Sequence, residues 1–476
     1  MLTLEASSIL NLKVSEVKNL NSLVDTYNAH ITQNIEKDRY YEGKIPLSEV
    51  NLGIALPLGM AGLEIGCSWG AKTVDVLAAR SMFDGYVGTN GEEIELLDKL
   101  VVDNDLIAEY IKACRDQLKY GCTFATLSAD PQVGCRIRFH SPQTAAAQWD
   151  GEKGRISRGL AIIDSVPDNT TKMWEPSLIY YYTDMAVWEL SREGNIWSAV
   201  EHPHKMGRPL MEALIWNATS NKPFGRSRIK EPIRRLIQGY VRTIANATIG
   251  LEFSTAPQKY LLGVTDEQFD AVINDKFKQY VGSIIASTTN PETGEKPSFG
   301  QLQQGTISPH VEMLRLLATQ YSAATGLTVT DTGVVNDANP TSSDAILAQS
   351  QTLVAMAEQL NIGNGNHLRT IALMAQAIAM NSRIEDLDST QTDVIAHFKN
   401  PAMPSVAMTA DAAIKIASVR PNFAQTDVFA EMIGFDKADI RRIKAQEQRI
   451  AGMQLITELS RSAETEEEEP EEQTVT

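Results

Sequence analysis

From Leu327 to Asn339 the chain carries three Thr, two Asp, two Asn and Gly333, a polar stretch without periodicity between two strongly helical ones. A structureless segment of that length is uncommon in a compact domain and is usually functional or disordered. Any fold for this chain must find a place for it. The run before it, from Ile307, sets Val311, Leu314, Leu317 and Tyr321 at helical spacing, with Pro309 tolerated in the first turn. Gly326 stops that helix. The Asn339-Pro340 step breaks any helix behind it. Thr341 or Ser342 then caps the next helix, and Asp344 suits the positive end of its dipole. On these residues alone the loop reads as slack surface chain.

The rest of the chain changes the weight of that reading. With 476 residues, 43% of them hydrophobic, the chain has material for several cores. Its 60 acidic and 43 basic residues give a formal charge of -17. That balance argues against tight nucleic-acid binding, which rests on Lys and Arg displacing counterions from phosphates. It suits a protein past which nucleic acid must slide. No run of about 18 apolar residues is present to span a bilayer, and no secretory signal is expected. Cys67, Cys114, Cys122 and Cys135 read as reduced thiols.

Taken in order, the chain begins with a polar helical pattern from Ile9 to about Asp38, ending at Tyr40-Tyr41-Glu42-Gly43. Further helices are expected from Ser68 to Arg80, closing near Gly85, and from Asp103 to Tyr120. From Thr123 short alternating runs predict antiparallel strands at Cys135–His140, Ala145–Trp149, Arg158–Asp164, Leu178–Tyr182, Ala186–Leu190, Trp197–Glu201 and Pro209–Trp216. A long helix with Ser227 as its cap should run to about Glu252, roughly 39 Å. Its apolar face holds Ile229, Ile233, Leu236 or Ile237, Tyr240, Ile244 and Thr248. The stretch from Phe253 to Gln304 is a small mixed insert that cannot bury much alone, and pairing with copies of itself would solve that problem. After the polar loop a helix to Met380 should kink or break at Gly363-Asn364-Gly365. A strand at Val394–Phe398 precedes helices at Thr409–Ser418, Thr426–Ile433 and Asp436–Ser460, and the Glu-rich tail from Glu464 to Glu472 is expected to be disordered. The fold class is α+β, mainly helical.

Chemistry leaves few traces. His202, His204, Cys135 and His140 lack metal-ligand spacing. The carboxylate pairs Glu92-Glu93 and Asp103-Asp105 read as solvated faces. Gly66-Cys67-Ser68-Trp69-Gly70-Ala71-Lys72-Thr73 approaches a phosphate-binding loop but has Ala71 where the second Gly belongs, so it reads as an ordinary helix start. No catalytic residue, metal ligand or cofactor is assigned. The densest basic cluster is Arg226, Arg228, Lys230, Arg234 and Arg235 at the start of the long helix. Its positive charge opposes the helix dipole. Salt bridges to Glu231 or another chain would compensate it, with contact to another subunit or to DNA phosphates as the functional alternative.

Several separated segments carry a family resemblance. They are Tyr40-Tyr41-Glu42-Gly43; Trp69 with Val74-Asp75 and Ala78-Ala79-Arg80; and Pro223-Phe224-Gly225-Arg226-Ser227. They continue with Ala324-Thr325-Gly326-Leu327, the run from Asn339 to Ile346, and Asn400-Pro401 through Met408-Thr409-Ala410-Asp411-Ala412 to Lys415. In order and spacing the chain resembles the portal proteins of tailed bacteriophages, in the branch typified by phages of Gram-positive hosts.

That resemblance implies a portal-type protomer forming a dodecameric ring with a central channel, and no enzymatic activity. It implies residues 1–226 as the wing, 227–252 and 307–325 as stem helices, 253–306 as the clip and 326–340 as the tunnel loop. Residues 341–406 would be the long wing helix and return strand, 407–462 the crown and 463–476 a disordered acidic tail. Thr328, Thr330, Asp331, Thr332, Val334, Asn336 and Asp337 would then face DNA in the channel. Asp266, Lys276, Asn290, Glu292 and Lys296 would dock the terminase large subunit and later the head-to-tail connector. Further implied partners are the major capsid and scaffolding proteins and double-stranded DNA passing non-specifically, with no membrane; the place is the portal vertex of the virion, after assembly in the host cytoplasm. Another ring-forming phage head or tail protein is the alternative.

Overall fold

The computed structural model describes residues 2, 4–46, 50, 65–89, 94–167, 174–194, 196–255, 259–262, 294, 298–301, 306–334, 343–402, 406–435 and 437–466. The chain divides into two compact units, Met1–Pro401 and Ala402–Thr476. In the first, α1 (Val14–Tyr41) and α2 (Trp69–Ala78) precede β1 (Phe83–Gly88), followed by α3 (Glu95–Asp103) and α4 (Leu106–Tyr120). The helix expected over Asp103–Tyr120 is α4, starting at Leu106, and the unexpected α3 before it is set off where Asp105 takes a left-handed φ of 48°. Buried Asn104 fixes the break. Its Nδ2 donates to Leu100 O (2.9 Å) and Cys135 O (3.0 Å), and its Oδ1 accepts from Ile137 N–H (2.9 Å).

Two sheets follow. β2 (Cys122–Asp130), β3 (Gly134–His140) and β9 (Met211–Ile215) form one in the order β3-β2-β9. β4 (Ala145–Asp150), β5 (Arg155–Pro167), β6 (Trp174–Tyr182), β7 (Ala186–Glu193) and β8 (Ile196–Pro203) form an antiparallel meander. The seven expected strands are present, some longer than expected. β2 was not expected because its first six residues are all buried: a central strand covered on both faces loses the alternation that marks a strand. The meander packs one face against α1 and against Leu2, Leu4, Ala6 and Ile9, where Leu20, Leu23, Tyr181, Trp188 and Leu190 form a core of their own. A larger core joins α2, α4, the three-stranded sheet and the helices that follow.

Those helices are α5 (Glu231–Thr255), α6 (Ser308–Thr325) and α7 (Ser343–Ala379), with β10 (Lys259–Leu262) and β11 (Ser298–Gln301) pairing between α5 and α6. Helix α5 starts four residues later than expected. Ser227 is not its cap: the Ser227 hydroxyl donates to Lys119 O (2.5 Å) and accepts from Ile229 N–H (2.9 Å), holding a turn ahead of the helix. The buried stripe follows Ile233, Ile237, Val241, Ala245 and Ile249, leaving Tyr240, Ile244 and Thr248 half-buried at its edge. On α6 only the second half is covered, through Leu317, Ala318 and Tyr321, while Val311 is exposed.

Helix α7 corrects a second expectation, since it runs unbroken through Gly363-Asn364-Gly365. Asn364, at 0% exposure, explains this. Its Nδ2 donates to Tyr110 Oη (2.8 Å) and Gln117 Oε1 (3.0 Å), and its Oδ1 accepts from Gln117 Nε2 (2.6 Å). A fully satisfied buried amide outweighs the roughly 1 kcal/mol cost of each glycine. β12 (Val394–Phe398) closes the unit by pairing antiparallel with β1.

In the second unit α8 (Val406–Val419), α9 (Asp427–Ile433) and α10 (Lys437–Glu466) lie close to the expected helices. Thr426 caps α9 by accepting from Phe429 N–H (3.3 Å). The first four residues of the tail expected to be disordered, 463–466, are helical, and the rest of the tail lies outside the described residues.

His140 sits at the end of β3 with Nε2 3.0 Å from Thr126 Oγ1. Burial, aided by the Arg138 charge, pushes its pKa down to about 4. A histidine held below its unfolded value binds its proton more readily when unfolded, so stability falls as pH drops from about 6.5 towards 4, by at most about 3 kcal/mol. His30 and His204 are shifted in the same direction, chiefly by burial. We expect His140→Gln to flatten the denaturant-measured stability profile between pH 7 and 4.5. An unchanged slope would assign the acid sensitivity elsewhere.

Candidate functional site: the root of the polar loop

The polar loop is anchored where it leaves α6. Gly326 ends that helix with a left-handed φ of 73°. That left-handed conformation is what favours glycine here, while a Cβ would displace only the flexible end of Met356, whose Cε would lie 2.5 Å away. The chain then forms a tight turn. Thr328 donates to Asp331 Oδ2 from its backbone (2.9 Å) and its hydroxyl (2.8 Å), and Thr330–Thr332 make a single 3-10 turn. Thr332 is buried, its hydroxyl on Val329 O (2.6 Å), while its own carbonyl accepts from Trp69 Nε1 (3.1 Å).

Trp69 is the hub. Its ring stacks on Tyr321 of α6 (centroids 4.6 Å, 27° between planes) and tilts against Tyr240 of α5 (4.8 Å, 45°). Tyr321 Oη donates to Trp69 O (2.6 Å) and lies 2.7 Å from Thr73 Oγ1. Burial pushes the Tyr321 hydroxyl pKa well up, so it stays protonated and able to donate. The helix carrying Trp69 approaches α1 so closely that a Cβ on Gly70 would lie 1.9 Å from Tyr40 O. The near-phosphate-loop sequence is therefore a helix crossing, and Gly70 serves close packing.

Arg228 adds the second tie. Its Nε donates to Thr73 O (2.6 Å) and its Nη2 to Thr325 O (2.8 Å), with the guanidinium carbon 5.8 Å from the Trp216 ring centre. Burial lowers its pKa to about 10, so it remains charged at neutral pH. Thr325 is the last residue of α6, where the helix dipole is negative, which offsets part of the cost of burying the charge. Arg228, grouped with the stem-start cations as a subunit or DNA contact, is 7% exposed and gives Nε and Nη2 to carbonyls of its own chain.

The other cations of the cluster separate. Arg234 pairs with Glu36 (2.6 Å) and Glu231 (2.8 Å), and Arg235 pairs with Glu231 (3.0 Å), the compensation anticipated for the helix start. Arg226 and Lys230 are exposed. Of the loop residues, Thr330 is exposed, Thr328, Asp331 and Val334 are half-buried and Thr332 is buried. Asn336 and Asp337 lie outside the described residues, as do Asp266, Lys276, Asn290, Glu292 and Lys296. Of the histidines considered as ligands, His202 meets Glu189 (3.1 Å) and His204 meets Thr183 O (3.2 Å). All four cysteines are free and buried, and burial pushes each thiol up to about 12. Sequence reasoning missed the roles of Trp69, Thr73, Tyr321 and Arg228 in this junction. The available signal was that Trp69 and Thr325-Gly326 lie in the stretches that carried the resemblance.

No curated protein matches the chain in sequence. Among solved structures the chain is similar to one from the virion of a native gene transfer agent particle, with 10% identity, a TM-score of 0.46 and coverage of 82% of this chain and 89% of that one. It is also similar to one from the neck of the native particle computed with C12 symmetry, with 10% identity, a TM-score of 0.44 and coverage of 77% and 89%. The corresponding neck of the empty particle, computed with C6 symmetry, gives 10% identity, a TM-score of 0.44 and coverage of 74% and 85%. The family model for phage portal proteins of the SPP1 Gp6-like type matches residues 20–453, across both units and through the loop and its anchor, and the chain belongs to that family.

Proposed function

We propose that copies of this chain assemble into a dodecameric ring at one vertex of a phage head, with a central channel through which double-stranded DNA is packaged and later leaves. Beyond family membership, the observation that carries the ring is the start of α6, where Ile307 just before it and Val311, Met313 and Leu316 in its first half are exposed in the single chain. Apolar residues left exposed around more than one side of a helix call for partner surfaces, and a ring of identical copies supplies them. In this reading α5 and α6 are the stem and residues 253–306 are the clip that meets the terminase and then the connector. Residues 407–462 are the crown. The polar loop borders the channel, where acidic and neutral side chains keep DNA phosphates from sticking.

Negative-stain microscopy of the purified protein tests the ring: annular particles with a central hole are expected, and a protein that stays monomeric at high concentration sinks the proposal. The loop is tested separately. Because Thr332 is part of the anchor, the substitutions belong beyond it. Asn336→Lys combined with Asp337→Lys should leave rings intact and lower the DNA packaged per particle, and normal packaging would remove the loop from the channel.

A further inference from the structure

Basic side chains gather around one cavity of this acidic protein. The cavity, about 1020 Å³, lies between α1, β4 and the segment that precedes α5. Lys37, Lys222, Arg226, Lys230 and Arg234 line it together with His30, and among the described residues Glu231 is the one carboxylate in the lining. Glu231 is already spent on Arg234 (2.8 Å) and Arg235 (3.0 Å), and Arg234 also holds Glu36 (2.6 Å). Among the described residues no carboxylate pairs with Lys37, Lys222, Arg226 or Lys230. A chain of formal charge -17 has carboxylates to spare, yet this wall is left positive.

Lys37 is the most enclosed of the four. It is half-buried, and its Nζ rests on two neutral oxygens, Asn34 Oδ1 (3.1 Å) and Tyr120 O (3.3 Å). Both contacts are longer than a charge-assisted bond of about 2.7–2.9 Å. Burial above all, seconded by the Arg234 charge, holds the Lys37 pKa below the ordinary lysine value. His30, exposed at the rim, is lowered too, by burial and then by the Lys37 charge. An ammonium so placed lacks a counter-charge, which an oxyanion would supply.

The remaining walls are apolar. Phe224 meets Trp149 (ring centres 5.6 Å apart) and Phe124 (5.8 Å), and Tyr27, Pro223 and Ile229 extend the surface. Phe224, Trp149 and Pro223 are half-buried, so a ligand reaches them without any opening of the fold. Small-molecule cavities commonly measure about 300–1,000 Å³, with mainly apolar and aromatic walls and a few placed polar groups. This cavity has that size and that mixture.

We infer that the cavity binds a small amphipathic carboxylate, its anionic head on Lys37 and its apolar body across Phe224 and Trp149. Lys222, Arg226 and Lys230, all exposed at the mouth, draw the anion in. The volume is that of one small molecule, which favours such a ligand over a segment of a partner protein. The inference does not depend on the ring.

The test is a fluorescence titration of the full chain with dansyl-labelled undecanoate. Saturable binding is expected, displaced by dodecanoate at least about tenfold more effectively than by dodecanol, which shares the chain and lacks the charge. Lys37→Met keeps most of the apolar stem and removes the ammonium. It should weaken dodecanoate about tenfold and leave dodecanol unchanged. Lys222→Ala with Arg226→Ala and Lys230→Ala should together weaken dodecanoate about tenfold as well, and decides the matter should the Lys37 variant fail to melt cooperatively. Equal displacement by dodecanoate and dodecanol would overturn the inference, as would unchanged dodecanoate affinity in every variant that folds. A short peptide ending in Leu-Phe with a free carboxylate serves as the competing occupant. If it displaces the probe at lower concentration than dodecanoate, the small-molecule assignment fails and the cavity takes a partner's chain terminus.

Discussion

Trp69→Ala should lower the stability of the Met1–Pro401 unit by about 3–5 kcal/mol, the cost of removing a buried indole that two neighbouring rings cannot close over. Trp69 is 2% exposed, touches Tyr240 and Tyr321, and holds the Thr332 carbonyl. Trp69→Phe separates these contributions. It keeps most of the stacking and loses the Nε1–H bond, so about 1–2 kcal/mol is expected, together with faster amide exchange at Thr332, Gly333 and Val334. Chemical denaturation and exchange mass spectrometry read the two effects. If Trp69→Phe leaves exchange in that turn unchanged, the indole hydrogen bond does not anchor the loop.

Arg228→Ala should cost about 2–5 kcal/mol, since the Thr73 and Thr325 carbonyls are buried and each loses its charge-assisted donor. Arg228→Met is the sharper experiment. Methionine fills much of the same volume and abolishes the charge, which tests whether the two bonds outweigh the desolvation of the guanidinium. We expect the methionine variant to be destabilised, by less than the alanine variant. A methionine variant more stable than the parent would mean that the cation is a burden at this position and not a tie.

The elements that were legible in the sequence are those whose signal is local. Helices α1, α5, α6 and α7 and the meander strands announce themselves by apolar periodicity and turn residues, and the Thr426 cap and Gly434 stop mark α9. What escaped depends on distant partners. β1 contains Gly85 and reads as a helix ending, because its strand character comes from β12. The continuity of α7 comes from Gln117 and Tyr110 gripping Asn364, which no rule about glycine in helices anticipates. Arg228 looked like its basic neighbours until burial separated it from them. The described part of the polar loop, Leu327–Val334, is a tied turn, which the Thr-x-x-Asp spacing from Thr328 to Asp331 allows and polar composition alone does not reveal.

The pairing of β1 with β12 also bears on the order in which the protein is made. Phe83 meets Phe398 and Gly88 meets Val394, so one strand of the pair leaves the ribosome long before the other. At a synthesis rate of roughly 5–20 residues per second, the first strand waits on the order of 15–60 s for its partner. Helix α7, whose Leu368, Ile371 and Met374 complete the main core, arrives only shortly before. Through that interval Phe83 and Tyr86 have no native cover from the C-terminal side. The nascent chain therefore carries an uncovered apolar strand for most of its synthesis, and the late strand acts as the latch that ends its exposure.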